Sequence, residues 1–384
     1  MIIYQSQLSD KWQTVHLGEV VDFLDSQRKP ITQKDRIPGP YPYYGANGKQ
    51  DSVADFIFDE PLILLAEDGG HFGDSTKTIA YQVEGKCWVN NHAHVLRPKS
   101  CINIRYLCRH LERYDVAPLI TGSTRKKLTK TAANRILLSL PPIDEQRRIA
   151  AILDQADAIR RKRQQAIALT DELLRSTFLE MFGDPRKNTN NWKTGKIGDI
   201  AEMVTDGAHH TPERSKSGVM LLSARNIKNG YIDTSQNVDF VPYYEYERLR
   251  KRYDPQPQDV LISCSGSVGR VTVVREFGLF SMVRSVAVIR PNLRKIDSEF
   301  LESLLHSDYL QKSIVKGSKQ SSQANLFQGP IKELPVILPP LVLQERWKLI
   351  KSEVKKVEHL YSKTDDTLLT MFNSLLQRAF KGQL

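Results

Sequence analysis

Apolar residues along this chain follow two different periods. Ile149, Ile152, Ala156, Ile159, Arg163, Ala166, Thr170 and Leu173 succeed one another at spacings of three and four. Trp347, Ile350, Val354, Val357, Tyr361, Thr364, Leu368, Met371 and Leu375 do the same without a break. That spacing lays one stripe along a helix and is the seam pattern of a coiled coil. It predicts helices over about 143–182 and 342–381, each about 60 Å long at ~1.5 Å per residue. Pro141-Pro142 stands outside the first helix, Asp144 and Glu145 fall in its first turn, and Gly183 with Pro185 ends it; Gly382 ends the second. A lone helix of this length with one apolar stripe needs a partner. The economical partner is the other helix. An antiparallel coiled coil would set Ile149, Ile152, Ala156, Ile159 and Leu173 against the Trp347–Leu375 stripe, with polar Arg163, Thr170 and Thr364 fixing register.

Elsewhere the apolar runs are short and broken by Gly, Pro and Asn. Pro61–Ala66, Cys87–Val89, Asp259–Ser263, Val271–Val274 and Ser285–Ile289 read as strands, with helical patterns at Ile104–Arg113 and Asp297–Lys312. The fold class is therefore α+β, with a mostly antiparallel or mixed sheet. Globular domains occupy 1–139 and 185–336, and long helices occupy 140–184 and 337–384.

The two halves repeat. Trp12 followed by Leu17-Gly18-Glu19-Val20 matches Trp192 followed by Ile197-Gly198-Asp199-Ile200. Leu140-Pro141-Pro142 with Gln146 and Arg147 matches Leu338-Pro339-Pro340 with Gln344 and Arg346. Weaker echoes pair Gly70-x-x-Gly73 with Gly266-x-x-Gly269, Arg97-Pro98 with Arg290-Pro291, and Gly122-Ser123 with Gly317-Ser318. Two copies make a pseudo-two-fold molecule, and too few repeats for a solenoid.

The chain has 384 residues and a net charge of +11, which favours a polyanionic partner such as nucleic acid. No apolar run reaches the ~20 residues of a membrane span, and the first residues lack the pattern of a signal peptide. The four cysteines show no C-x-x-C spacing and read as reduced thiols in a cytoplasmic protein.

Enzymatic constellations are scarce. There is no phosphate-binding Gly-rich loop, no G-x-G-x-x-G after a strand and no His-Glu-x-x-His. The sharpest alternative is a metal-dependent nuclease in which Asp68 and Glu84 hold Mg²⁺ and Lys86 positions water. His92 and His94 sit two apart on one strand face, but no third ligand is evident, so no metal site is assigned.

The junction Leu137–Ala150, the exit Glu180–Pro185 and the terminal Leu375–Gly382 resemble the specificity subunit of type I DNA restriction-modification systems. Inside the domains, Tyr43–Gly48, Asp206–Pro212, Leu222–Ile227 and Asp259–Gly266 resemble stretches of that family's target-recognition domains. The second helix departs by carrying Val342-Leu343 where the first has Asp144-Glu145. The resemblance implies a non-catalytic subunit whose two target-recognition domains each read half of a split site in double-stranded DNA. The paired helices would set the spacing and dock two methyltransferase subunits, and a restriction motor-nuclease subunit would join. It implies no cofactor in this chain, and the Pro-Pro-Tyr motif typical of adenine methyltransferases is missing from the sequence. S-adenosylmethionine would belong to the methyltransferase partner, ATP and Mg²⁺ to the restriction partner. Lys and Ser can position phosphates, while Arg, Asn and Gln can read base edges. On that reasoning the DNA-binding candidates are Arg125, Lys126 and Lys127 in one domain. In the other they are Arg225, Asn226, Lys228, Ser265, Ser267, Arg270, Lys319, Gln320, Ser321 and Gln323.

Overall fold

The computed structural model describes residues 11–74, 77–122, 126–208, 210–235, 237–275, 278–318 and 326–384, with side chains throughout except at 362–369 and 373. The chain divides into unit 1, residues 1–166 with 361–384, and unit 2, residues 167–360. Each unit thus combines one globular domain with part of each long helix.

Unit 1 opens with β1 (Gln13–His16), α1 (Leu17–Val20) and β2 (Val21–Phe23). There follow β3 (Pro38–Gly45), β4 (Gly48–Val53), β5 (Phe58–Asp59), β6 (Leu62–Ala66), β7 (Ala80–Val83), β8 (Lys86–Val89) and β9 (Ala93–Pro98). Helices α2 (Ile104–Leu111) and α3 (Lys130–Asn134) and strand β10 (Leu137–Leu140) lead into α4 (Ile143–Phe182). An antiparallel sheet runs β2-β9-β6-β7; a second sheet, β4-β3-β8-β5, contains the parallel pair β3–β8. β6 is buried along its whole length, which is why it reads as an unbroken apolar run.

Unit 2 repeats this plan. It contains β11 (Lys193–Lys196), α5 (Ile197–Ile200), β12 (Ala201–Asp206), β13 (Val219–Leu222), β14 (Ile227–Lys228), β15 (Tyr231–Ile232), β16 (Asp239–Val241) and α6 (Tyr243–Arg250). Then come β17 (Val260–Ser263), β18 (Val271–Val273), β19 (Phe280–Met282), β20 (Val286–Pro291), α7 (Ser298–Leu305), α8 (Asp308–Ser318), α9 (Gln328–Lys332), β21 (Pro335–Leu338) and α10 (Leu341–Phe380). The sheet β12-β20-β17-β18 matches β2-β9-β6-β7, and the parallel pair β13–β19 matches β3–β8. In both units the strand after the repeated Trp pairs antiparallel with the strand before the Pro-Pro, β1 with β10 and β11 with β21.

The repeated sequence marks have physical reasons. Glu19 accepts the N–H of His16 at 2.7 Å and Asp199 that of Lys196 at 2.9 Å, capping α1 and α5 alike. Gln146 and Gln344 are buried. Gln146 accepts the N–H of Asn103 at 2.7 Å and donates to the Pro141 carbonyl at 2.8 Å; Gln344 accepts that of Asp297 at 2.8 Å and donates to Pro339 at 2.8 Å. Asn103 and Asp297 are the side-chain caps of α2 and α7. The recurring glutamine therefore locks each long helix to the start of its domain's helix. Gly183 and Gly382 end the long helices at φ 77° and 66°, a backbone region that costs a Cβ-bearing residue energy.

Three expectations need correction. The helix expected over Asp297–Lys312 is two helices, because His306 ends α7 and Ser307 Oγ accepts the Leu310 N–H at 3.4 Å to start α8. The registers β6–β9 and β17–β20 pair Ile63 with Leu96 and Val260 with Ile289. With Arg97-Pro98 equivalent to Arg290-Pro291, Gly69 rather than Gly70 matches Gly266, and Asp68 matches Ser265.

The third correction concerns the helical seam. Ile149 and Trp347 are buried, and Ile152, Ala156, Ile350, Val354, Tyr361 and Leu375 are half-buried. Ile159, Leu173, Val357 and Met371 are exposed, and the Leu368 side chain lies outside the described residues. The domain cores, not an uninterrupted seam, take the helix ends. In unit 1 Leu153, Phe372, Leu376 and Phe380 join the core around Tyr106; in unit 2 Phe178 and Phe182 pack on Phe300, and Trp347 packs on Phe178.

Candidate nucleic-acid interface

One end of each central sheet gathers several loops. In unit 1, Glu67 N–H donates to the His92 carbonyl and Asn47 Nδ2 donates to the Gly69 carbonyl, both at 2.9 Å; Leu128 N–H donates to the Glu67 carbonyl at 2.7 Å. The turn at 45–48, the exit of β6, the entry to β9 and residues 126–128 therefore meet. In unit 2, Gly207 N–H donates to Val286, Cys264 N–H to Ser285, and Leu326 N–H to Cys264, while Ala224 N–H donates to Ser285 Oγ at 3.0 Å. The bonds of Leu128 and Leu326 occupy equivalent places, so both domains build the same loop platform. Loops at strand ends project varied side chains from a rigid sheet, as a sequence-reading surface requires.

Beneath the first platform lies a charged cluster. His94 Nδ1 meets Asp25 at 2.6 Å and its Nε2 meets the Leu128 carbonyl at 2.8 Å. Arg28 donates to Glu67 at 2.7 Å and to the Ala93 carbonyl at 2.6 Å, and Lys127 meets Glu67 at 3.0 Å. Burial pushes the Asp25 and Glu67 carboxyls up, but His94 for one, and Arg28 with Lys127 for the other, hold both below the ordinary range. Asp25, Glu67 and His94 offer ligand atoms within 4.8 Å of one another. Arg28 already supplies the balancing cation, so the cluster reads as a brace for the loops.

The expected DNA contacts separate accordingly. Lys126 is exposed on the platform, whereas Lys127 is tied to Glu67. Arg125, Lys319, Gln320, Ser321 and Gln323 lie outside the described residues. Asn226 is a correction: it is buried, its Oδ1 accepts the Ser223 N–H at 3.0 Å, and its Nδ2 donates to the Asp233 carbonyl at 3.2 Å. Its amide is used up in shaping the turn and cannot meet a base. Arg225 is held by Asp239 at 2.6 Å and Lys228 faces Asp233 at 3.8 Å. Ser265, Ser267 and Arg270 lie in the turn between β17 and β18, with Ser265 and Arg270 half-exposed and Ser267 exposed. Two platform residues escaped the sequence reading: Asn47, and Arg284, which is exposed in the turn entering β20. Their signal is position, one turn from a strand end, rather than any motif.

The nuclease alternative fails on geometry. Leu62 pairs with Val83 at one end of the β6–β7 hairpin and Leu65 with Ala80 at the other. Glu84 follows the first end; Asp68 lies beyond the second, past the whole of β6, whose Leu62–Ala66 span alone is about 13 Å at ~3.3 Å per residue. Asp68 meets His92 Nδ1 at 2.6 Å, and Lys86 lies over the Phe56 ring at 4.6 Å. No metal could be shared between these acids.

A tandem pair of α+β domains, each presenting a loop platform and each followed by a 40-residue helix, defines a two-site reading protein. Residues 9–169 and 189–356 both match the type I restriction modification DNA specificity domain, and the chain belongs to that family. It is 29% identical over 358 residues to a candidate type I restriction enzyme specificity subunit of Haemophilus influenzae, covering 86% of this chain and 84% of that one. It is 26% identical over 305 residues to the EcoBI type I restriction enzyme specificity subunit of Escherichia coli, covering 68% of this chain and 61% of that one. The fold resembles a type I restriction-modification S subunit from M. genitalium, with TM-score 0.62, 15% identity and 96% of both chains covered. Among the described residues no helix is long and apolar enough to cross a membrane.

Proposed function

We propose that this chain is the non-catalytic sequence-specificity subunit of a type I restriction-modification complex. Each domain reads one half of a bipartite site in double-stranded DNA, and the long helices set the distance between halves. The observation that carries this reading is the same loop platform built twice on equivalent sheets. Each unit combines the opening of one long helix with the closing of the other, which supports an antiparallel pair acting as a ruler. Exposed apolar positions on those helices, such as Ile159, Leu173, Val342 and Leu349, support docking of two methyltransferase subunits, with restriction subunits joining them. S-adenosylmethionine then belongs to the methyltransferase, and ATP and Mg²⁺ to the restriction subunit. The target adenine is flipped into the methyltransferase's pocket, outside this chain.

Mapping N6-methyladenine in the host genome with and without the gene tests this. A split motif should vanish with the gene. Replacing residues 11–140 by a relative's domain should change one half of the motif only; unchanged methylation in both experiments would refute the reading.

A further inference from the structure

Two clamps join each domain to the helix that follows it, and only one of them is common to both units. The shared clamp is the glutamine, Gln146 on Asn103 and Gln344 on Asp297. It aligns the paired helices residue by residue. Arg105 then stands where Glu299 does, Leu153 where Lys351 does, and Asp157 where Lys355 does.

The second clamp is ionic and has opposite polarity in the two units. In unit 1 the domain helix is basic and the long helix acidic. Arg105 meets Asp154 at 3.3 Å, and Arg109 meets Asp154 at 2.9 Å and Asp157 at 3.2 Å. In unit 2 the domain helix is acidic and the long helix basic. Lys351 pairs with the fully buried Glu302 and meets Glu299 at 2.9 Å, while Arg275 meets Glu299 at 2.8 Å. Asp157 and Lys351 are only 7% and 8% exposed, so these charges are desolvated.

A buried ion pair adds little over an apolar pair, but a buried charge facing no partner, or a like charge, is strongly destabilising. Such pairs therefore discriminate more than they stabilise. We infer that the two clamps form a polarity code that ties each recognition domain to its own long-helix segment and prevents the domains from exchanging places. The second domain brought onto α4 would set Glu299 near Asp154 and leave Glu302 facing Leu153 in place of Lys351, with Arg275 as its remaining ion partner. The first brought onto α10 would set Arg105 and Arg109 against Lys351 and Lys355. The code is independent of which DNA is read.

The test is a full-length chain in which residues 11–140 are replaced by a second copy of residues 191–338. Ile149→Trp is included to keep the apolar seat that Trp347 provides. Thermal unfolding should begin more than about 4 °C below the parent, a shift of the size expected in a domain this large when a buried charge loses a partner and like charges are brought together. Adding Leu153→Lys, Asp154→Ser and Asp157→Lys, which rebuilds on α4 the face of α10, should recover at least half of that loss. The same three substitutions in the parent should lower its melting temperature, because Arg109 loses its two partners on α4 and Leu153→Lys buries a charge in the core around Tyr106. A chimera melting within about 4 °C of the parent overturns the inference. So does a loss, or an unfolded chimera, that the three substitutions do not recover by half.

Discussion

The side-chain oxygen of Gln146 accepts the backbone N–H of Asn103 at 2.7 Å, joining the cap of α2 to the first turn of α4. Its amide donates to the carbonyls of Pro141 and Cys101 at 2.8 and 3.1 Å, so all of the side chain's polar atoms are engaged in a dry site. Gln146→Ala strands one amide N–H and two carbonyls. Each unmet buried group costs about 1–3 kcal/mol, and neighbouring relaxation keeps the sum toward the lower end. We expect unit 1 to lose about 3 kcal/mol, and Gln344→Ala, which strands one N–H and one carbonyl, to cost unit 2 about 2 kcal/mol. Paired denaturation curves check this; an unchanged midpoint in either variant refutes the clamp.

His110 supplies a pH dependence. It is fully buried, and its ring lies edge-on to Phe380 at 4.5 Å and stacked on Tyr114 at 5.7 Å. Neither ring nitrogen has a hydrogen-bond partner among the described residues. Burial lowers its pKa from 6.5 to about 4. The unfolded chain therefore takes up the proton first, and stability is full above pH ~6.5 and falls as pH drops from about 6.5 to 4. The loss approaches roughly 3 kcal/mol at ~1.4 kcal/mol per unit. His110→Phe should remove this slope over pH 4–6.5 while leaving the carboxylate-driven slope below it. An identical pH profile in the variant would refute the assignment.

How much of this was legible in the sequence follows from what each residue faces. The periodicity of the long helices and the unbroken run of β6 were readable because burial acts directly on residue type at a fixed period. Gln146 and Gln344 could be seen to recur, but not why, since their partners Asn103 and Asp297 are some 45 residues away in sequence. The seam was only half legible, because a three-four stripe does not say whether a partner helix or a domain core covers it. Ile149 and Trp347 are covered; Ile159 and Met371 are open. The reading surface was least legible. Asn226 and Arg284 are both polar residues in loops, and only tertiary contacts separate the turn staple from the exposed side chain.

That distinction makes Asn226 a test. Asn226→Ala leaves the Ser223 N–H and the Asp233 carbonyl without their bonds, so it should destabilise unit 2 by about 1–3 kcal/mol. Any loss of DNA binding should return when the assay is cooled to where the variant is folded. A binding defect at full foldedness, with unaltered melting, would mean the amide reads DNA after all.

Arg284 should behave in the opposite way. Its guanidinium is exposed at the end of the β12-β20-β17-β18 sheet, beside the turn that carries Ser265, Ser267 and Arg270. Removing an exposed charge leaves no buried group unmet, so Arg284→Ala should move stability by no more than about 0.5 kcal/mol. If the side chain lies against a phosphate, it displaces one condensed counterion, and the slope of log affinity against log salt should become shallower by about 0.9. Weakening should then be uniform across DNA sequences. If it meets a base edge instead, discrimination at one position of one half-site should fall by about 1–3 kcal/mol. The measurement is a salt titration of DNA binding by the complex assembled with its methyltransferase, on the cognate site and on single-base variants of each half. Lys126→Ala on the first platform should give the same kind of result for the other half-site. If neither substitution changes affinity, salt slope or base preference, these two platforms do not face DNA.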